Sequence, residues 1–315
     1  MTAARMFMIR ASYRPGRMTA NHGRMAEMHM VVIGMGYSGT AIARFAARAG
    51  LRVSATSRAP DARATPDGIE LLAFDACGPR LREATHLVMT APPGESGDPA
   101  LLAHGAAIAA APALRWIGYL STTGVYGDRG GGWVDENTPV MPGPPRAARR
   151  VAAERQWAAL ADRRAVDLFR TAGIYGPGRS VLDDVRAGRA RRVQKPGQMF
   201  GRIHRDDIAA AVLAAARQDR PPGVRVLHLA DDEPAENATV VAEAARLLGM
   251  PSPPEVAFED AMRGMSEMGR SFWAENRKVA SAKTKAALGI AWRYPNFREG
   301  LAGILAEEGR DGLGQ

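Results

Sequence analysis

The chain has no lysine before Lys195 and no tyrosine between Tyr126 and Tyr175. Its one cysteine, Cys77, excludes an internal disulfide and suits a reducing compartment, the cytoplasm. No apolar run is long enough to span a bilayer, so no membrane partner is expected. Six histidines and a single cysteine show no ligand spacing for zinc, and no metal is predicted. Acids are outnumbered: 33 Asp and Glu stand against 42 Lys and Arg, a formal charge of +9. That balance raises the question of nucleic acid. The basic residues, however, are almost all Arg and run along the whole chain, among much Ala, Gly and Pro. They read as compositional bias, and no nucleic-acid partner is expected. At 315 residues the chain has room for one large core, or one core plus a small lobe.

Residues 1–27 carry five arginines against one acid, Glu27, with several methionines. A transit peptide is basic and poor in acids but also serine-rich, and here only Ser12 appears. The segment reads as a disordered extension, or as an early start with Met18, Met25 or Met28 as the true first residue.

What is present begins at His29-Met-Val-Val-Ile33, an apolar run of strand type that stops at Gly34-Met-Gly36-Tyr-Ser-Gly39. From Thr40 to Ala49 the pattern is helical, with Ile42, Phe45, Ala46 and Ala49 on one face. Strand, glycine turn and helix together make G-x-G-x-x-G a dinucleotide-binding signal. The first glycine allows the tight turn, the second lets the backbone approach a pyrophosphate, and the third lets helix and strand pack closely. Free N–H groups and the helix dipole favour the phosphate charge. Gly34, Met35, Gly36, Tyr37, Ser38 and Gly39 are therefore the expected cofactor loop. The next strand, Leu51–Thr56, ends in Ser57-Arg58. An acid about 20 residues after the glycines accepts the 2′-OH of NAD, whereas Arg accommodates the 2′-phosphate of NADP. Ser57 and Arg58 occupy that place and the nearest acid is Asp61, beyond Pro60, so NADP is expected over NAD.

Strands and helices continue to alternate, which predicts an α/β fold with a parallel sheet covered on both faces. Further strands are read at 69–74, 85–90, 115–120, 166–170 and 224–229, and an alanine-rich helix at 101–111. Ligands in such sheets sit at the carboxyl ends of the strands. The turn after the fourth strand, with Ala91 and Pro92, should therefore border the cofactor. Asn237 is read as the cap of a helix ending at Leu248-Gly249. Asp206 and Asp207 are read as caps at the start of another. The region Met262–Met268, with Phe272 and Trp273, reads as apolar packing of a lobe, a mobile cover or a subunit contact. Oligomeric state stays open.

The order of Gly34-x-Gly36-x-x-Gly39, Ser121-Thr-Thr-Gly-Val-Tyr-Gly127, Arg170-Thr-Ala-Gly-Ile-Tyr-Gly-Pro177 and Arg202-Ile-His-Arg-Asp-Asp207 resembles the short-chain dehydrogenase/reductase superfamily. It is most similar to the extended, NAD(P)-dependent epimerase/dehydratase-like branch, over about residues 28–305. The resemblance implies a Rossmann-type doubly wound parallel sheet with a small C-terminal substrate lobe. It divides the chain into a dinucleotide-binding core, 28–175, and a mixed segment, 176–315, that completes the sheet and forms the lobe.

In that superfamily a Ser or Thr after the fifth strand polarises the substrate oxygen, which falls here at Thr122 with Ser121 beside it. A Tyr in a Y-x-x-x-K helix moves the proton, and the Lys lowers the Tyr pKa and holds the nicotinamide ribose. Glu154 fits the family's usual acid four residues after the Lys. Counting back places Arg150 at the Lys position and Arg146 at the Tyr position, i and i+4 on one helix face. A guanidinium stays protonated and only donates hydrogen bonds. Arg150 can hold a ribose or phosphate, but Arg146 cannot act as a base. The resemblance is thus to an atypical subgroup, in which Asp98 fits either a proton acceptor or a helix N-terminal acid. Arg179, Arg202 and His204 fall where extended relatives touch substrate. The implied function is an NAD(P)-dependent oxidoreductase or epimerase/dehydratase-like enzyme on a small molecule. The alternative is a non-catalytic NADP-binding sensor or assembly protein of the same fold.

Overall fold

A computed structural model describes residues 27–60 and 68–311, the last of these in backbone only. The expected N-terminal extension, up to residue 26, and Asp61 lie outside the described residues. Seven strands form one parallel sheet: β1 (His29–Ile33), β2 (Arg52–Ser57), β3 (Ile69–Ala73), β4 (His86–Met89), β5 (Trp116–Thr122), β6 (Ala165–Thr171) and β7 (Gly223–Leu229). Their spatial order is β7-β6-β5-β4-β1-β2-β3. The order reverses between β1 and β4, and in such sheets that switch point opens the ligand crevice at the strands' carboxyl ends. All strand pairs in the sheet are parallel. β1 and β4 are buried at every residue, as a strand covered on both faces requires.

The helices are α1 (Tyr37–Arg48), α2 (Gly78–Glu83), α3 (Pro99–Ala110), α4 (Pro145–Ala158), α5 (Val181–Arg186) and α6 (Arg205–Ala216). They continue with α7 (Asn237–Leu247), α8 (Phe258–Gly264), α9 (Glu267–Trp273), α10 (Ala282–Leu288) and α11 (Phe297–Asp311). One face of the sheet is packed by α1 and α6, through Ile42, Ala46, Ile208 and Val212. The opposite face is packed by α2, α3 and α4, through Leu81, Ile108 and Trp157. A separate apolar cluster joins α5, α7 and α11, with Leu182, Val241, Phe297 and Ile304 at its centre. Of its three helices, α5 lies between β6 and β7 in the chain, and α7 and α11 follow β7.

Several local readings shift. The first helix starts at Tyr37 with Gly36 as its cap, three residues ahead of the periodic pattern. Gly39 therefore sits inside the first turn. Asn237 is the first residue of α7, whose cap is Glu236. The Asn237 side chain instead accepts a bond from Val193 N at 3.0 Å. At the start of α6 the cap is His204, whose Nδ1 accepts from Asp206 N at 3.2 Å. Asp207 turns away and receives the backbone N–H groups of Arg293 and Tyr294 at 2.7 and 3.0 Å. A longer side chain thus satisfies the helix end, which frees the carboxylate to anchor the C-terminal segment. No described helix is long and apolar enough to cross a membrane.

Candidate active site

The glycine turn is shaped by contacts that a side chain would break. Gly34 has φ +103°, a left-handed conformation that suits glycine. Thr90 Oγ1 donates to its carbonyl at 2.6 Å. A Cβ on Gly39 would lie 2.0 Å from Gly34 O, so only glycine lets α1 approach the turn this closely. A Cβ on Gly36 would meet nothing within 4 Å, because Gly36 faces open space. That space is a cavity of about 570 Å³ lined by Gly34, Met35, Gly36, Ser57, Arg58, Ala91 and Pro92, among others. Strand ends β1, β2 and β4 thus deliver seven of the expected cofactor residues to one cavity. Among the described residues, no carboxylate lines it. Size, exposed loop backbone and an arginine rim all fit a phosphorylated dinucleotide.

Tyr37 and Ser38 lie in the first turn of α1, Ser38 buried. The Tyr37 hydroxyl donates to Pro177 O at 3.0 Å, fastening the glycine turn to the loop after β6. Arg179 and Arg205 lie against its ring, at 5.5 and 5.4 Å from the centroid. Arg179 is thus placed beside the cofactor loop.

From Pro92 the groove continues into a second cavity, of about 370 Å³, at the end of β5. Thr122, Arg146, Arg149, Arg150, Phe272 and Arg277 line it. A third, of about 380 Å³, shares Thr122, Phe272, Glu275 and Arg277 and extends towards Thr171, Phe200 and Arg202. Thr122 stands where these two cavities meet. Its Oγ1 accepts from Gly124 N at 3.1 Å, which leaves its proton free to donate.

The arginines of α4 do different things. Arg150 turns back, with Nη1 donating to Leu120 O at 2.8 Å and Tyr119 Oη at 3.1 Å. It clamps the end of β5. Arg146 lies over the Phe272 ring, 4.2 Å from its centroid. Arg149 points towards Glu95, at 3.8 Å. Among the described residues, the cavities that meet at Thr122 are lined by the guanidinium groups of α4 and Arg277 and by one carboxylate, Glu275, while Glu95 stands outside the lining against Arg149.

Three expected site residues are tied into the structure. Ser121 donates to Glu154 Oε1 at 2.5 Å, and Arg170 pairs with both Glu154 oxygens at 3.1 and 2.8 Å. All three are buried. Asp98 is also buried. It accepts from Ala100 N, Leu101 N and Trp157 Nε1 at 3.0, 3.2 and 2.9 Å. Burial pushes its pKa up, with these bonds opposing, and its role is that of the α3 cap. His204 is fully buried between Tyr175 and Tyr294, and burial pushes its pKa down to about 4. Neither Asp98 nor His204 lines the three cavities. Arg202 does line the third, though one nitrogen is spent on Phe200 O and Ala235 O.

Among the described tyrosines, Tyr119 and Tyr126 line none of the three cavities, and Tyr175 lines only the third, its phenol pushed up by burial. Tyr119 is buried and its phenol is pushed up to about 12 by burial. Tyr126 is bonded to His228, Arg170 and Asp135 O. Sequence reasoning missed Arg149, Glu275 and Arg277. The last two follow Trp273 in a segment with no periodicity, and only the folded chain brings them to Thr122.

No family model matches the sequence. A conserved protein of unknown function from Silicibacter pomeroyi is 42% identical, with a TM-score of 0.80 over 89% of this chain and 99% of that one. MoeE5, solved with UDP-glucuronic acid and NAD, is 21% identical over 90% of this chain and 99% of its own, TM-score 0.73. The human epimerase family protein SDR39U1, solved with NADPH, is 18% identical over 88% and 99%, TM-score 0.67. Among curated proteins, a 3-diazoavenalumate denitrifying reductase from a Streptomyces species is 28% identical over 179 residues, 53% of this chain. The match spans only 58% of that reductase's length. The chain belongs to one family with the Silicibacter pomeroyi protein, and its fold is that of the extended, NAD(P)-dependent epimerase/dehydratase-like branch of the short-chain dehydrogenase/reductase superfamily.

Proposed function

We propose that this protein is an NADP-dependent oxidoreductase or epimerase/dehydratase-like enzyme that acts on a small anionic molecule without the usual Tyr and Lys. The observation that carries the reading is the continuous groove from the glycine turn to Thr122. Among the described residues its cofactor end carries Arg58 and no carboxylate, and its far end is lined by arginines. Solved structures of the same fold hold NAD or NADPH. NADP is favoured over NAD because Ser57 and Arg58 occupy the ribose end, where Arg accommodates a 2′-phosphate. A cytoplasmic setting suits Cys77, whose thiol is buried and pushed up to about 11 by that burial.

When bound, the nicotinamide cofactor supplies or removes a hydride; the chain does the rest. Gly34, Gly36 and the N-terminus of α1 hold the pyrophosphate. Arg150 holds the end of β5, and so Thr122, in place. Thr122 donates its hydroxyl proton to the reacting oxygen of the substrate. Arg146 and Arg149 attract the anionic group and orient it, since charge-assisted donors are the stronger ones.

The test is NADPH oxidation with a panel of oxo acids and matched neutral ketones. Acids are consumed and neutral ketones are not. Thr122→Ala lowers turnover about 100-fold, the typical cost of one donor to a developing oxyanion. Full activity in that variant refutes the assignment. The sensor or assembly reading is favoured by one observation, that α4 presents no proton-transfer group. R146Y/R150K separates the two: activity created in an inert protein supports the sensor, and activity destroyed supports the enzyme.

A further inference from the structure

Helix α9 leaves its large apolar side chains uncovered on the wall of the groove. Met268 and Phe272 are 64% and 54% exposed. They stand at i and i+4, hence on one helix face. Both line the cavity of about 370 Å³ that also holds Thr122 and Arg146, and Phe272 continues into the third cavity. Packing of the segment does not use them. Trp273 does that: it is buried, with the Phe200 and Phe258 rings at 4.8 and 5.4 Å, and its carbonyl accepts from Lys195 Nζ at 2.8 Å. Apolar side chains scattered singly over a surface are ordinary, but apolar surface gathered in a cleft marks a place that a ligand covers.

The charge beside this face says what kind of ligand. Arg146 Cζ lies over the Phe272 ring, 4.2 Å from its centroid. A guanidinium on a ring face keeps its N–H donors for another partner. Arg146 is half-buried, and among the described residues it has no hydrogen bond and no ion pair. Arg149, in the same cavity, has only the exposed Glu95 at 3.8 Å. An apolar face next to unspent guanidinium donors is the complement of an anion carried on an apolar group. Arg146 and Phe272 touch, so the two parts of that ligand must be close together. A cleft of this size is also in the range of roughly 300–1,000 Å³ that takes drug-sized ligands.

We infer that Phe272 and Met268 are specificity-determining residues, which take the aryl group of an aromatic α-oxo or α-hydroxy acid whose carboxylate meets Arg146. The inference rests on the enzyme reading above. An aryl group gains from both side chains: rings pair edge-to-face or offset, and a thioether sulfur favours an aromatic edge. An alkyl chain gains only buried area. In an aryl α-oxo acid the carbonyl carbon carries both the ring and the carboxylate, which brings the two to adjoining contacts and leaves the carbonyl in the cavity that Thr122 lines.

The full chain is loaded with NADP⁺ and titrated by calorimetry with phenylglyoxylate and with pyruvate. Cofactor and oxo acids are all in the oxidised state, so no hydride moves. Wild type should bind phenylglyoxylate at least about tenfold more tightly than pyruvate, the scale of one aromatic contact plus its buried area. Phe272→Ala, a change at an exposed side chain, should bring the two affinities together. Arg146→Gln should weaken both acids about tenfold and keep phenylglyoxylate ahead. Melting temperatures check that each variant is folded. Pyruvate bound as tightly as phenylglyoxylate, or a preference that survives in Phe272→Ala, overturns the inference. Undiminished binding in Arg146→Gln does so too. So does a change in sedimentation between wild type and Phe272→Ala, which would make the exposed face a contact between two copies of the chain. Loaded wild type that binds neither acid overturns the enzyme reading itself, and the inference with it.

Discussion

Among the described residues, Arg58 is the only charged one lining the glycine-loop cavity, and it is exposed. Its predicted effect is therefore simple. Arg58→Ala should weaken NADPH about tenfold, equivalent to about 1.4 kcal/mol, and leave NADH unchanged in parallel titrations. Equal losses for both cofactors would show that Arg58 does not read the 2′-phosphate. The buried Glu154–Arg170 pair has a different logic. Arg170 and Glu154 are 8% and 6% exposed, and the pair also fixes Ser121 and Tyr126. Removing one partner strands the other charge. Glu154→Ala should cost about 3–5 kcal/mol in denaturant unfolding, and a loss below about 1 kcal/mol would contradict that account. Glu154 was legible as a family position, but not as the anchor of the catalytic-looking Ser121. A serine and a glutamate side by side in three dimensions leave no mark on one sequence.

Elements were read more surely than side chains. β1, the glycine turn and α1 were visible because apolar run, glycine spacing and helical period all agree there. The turn also dictates its own geometry: Gly39 sits against Gly34 O, and no other residue fits. Gly39→Ala should abolish nicotinamide binding and lower the melting temperature, whereas Gly36→Ala, with open space around its Cβ, should spare the fold and weaken the cofactor alone. Similar melting temperatures for Gly39→Ala and wild type would refute the close packing. Helix α4 shows the limit of legibility. Spacing placed Arg146 and Arg150 on one face, yet their side chains part, one to Phe272 and the other to Leu120 O. Periodicity fixes which face a residue shares; tertiary neighbours fix where a long side chain ends. Asp98, His204 and Ser121 illustrate the same point, since a polar residue near a strand end serves a helix cap as readily as a substrate.

For the whole molecule, several buried titratable groups set a pH response. Burial pushes His86 down to about 3 and His204 to about 4 from 6.5. Their stabilisation is present above 6.5 and is lost as pH falls towards those values, because the unfolded chain binds the proton first. Asp231 runs the other way. Its carboxyl oxygens are buried without hydrogen-bond partners, and burial raises it from 3.8 to about 8, with Arg202 opposing. A raised carboxyl stabilises below its unfolded pKa and loses that contribution as pH rises through the folded one. Between about 6.5 and 8 the histidine contribution is complete and the aspartate slope remains, at most about 1.4 kcal/mol per pH unit. Thermal unfolding should therefore show stability falling from pH 6.5 to 8 in wild type and flattening in Asp231→Asn; identical profiles would contradict it. The sheet, its switch point and the groove that crosses it point to a dinucleotide, and the central proposal is that this dinucleotide is NADP. Titration of the purified chain with NADPH and with NADH, followed by nicotinamide fluorescence, tests it most directly. Tight NADPH binding with much weaker NADH binding is the predicted result. Binding of neither, or NADH binding as tight as NADPH, would contradict the account.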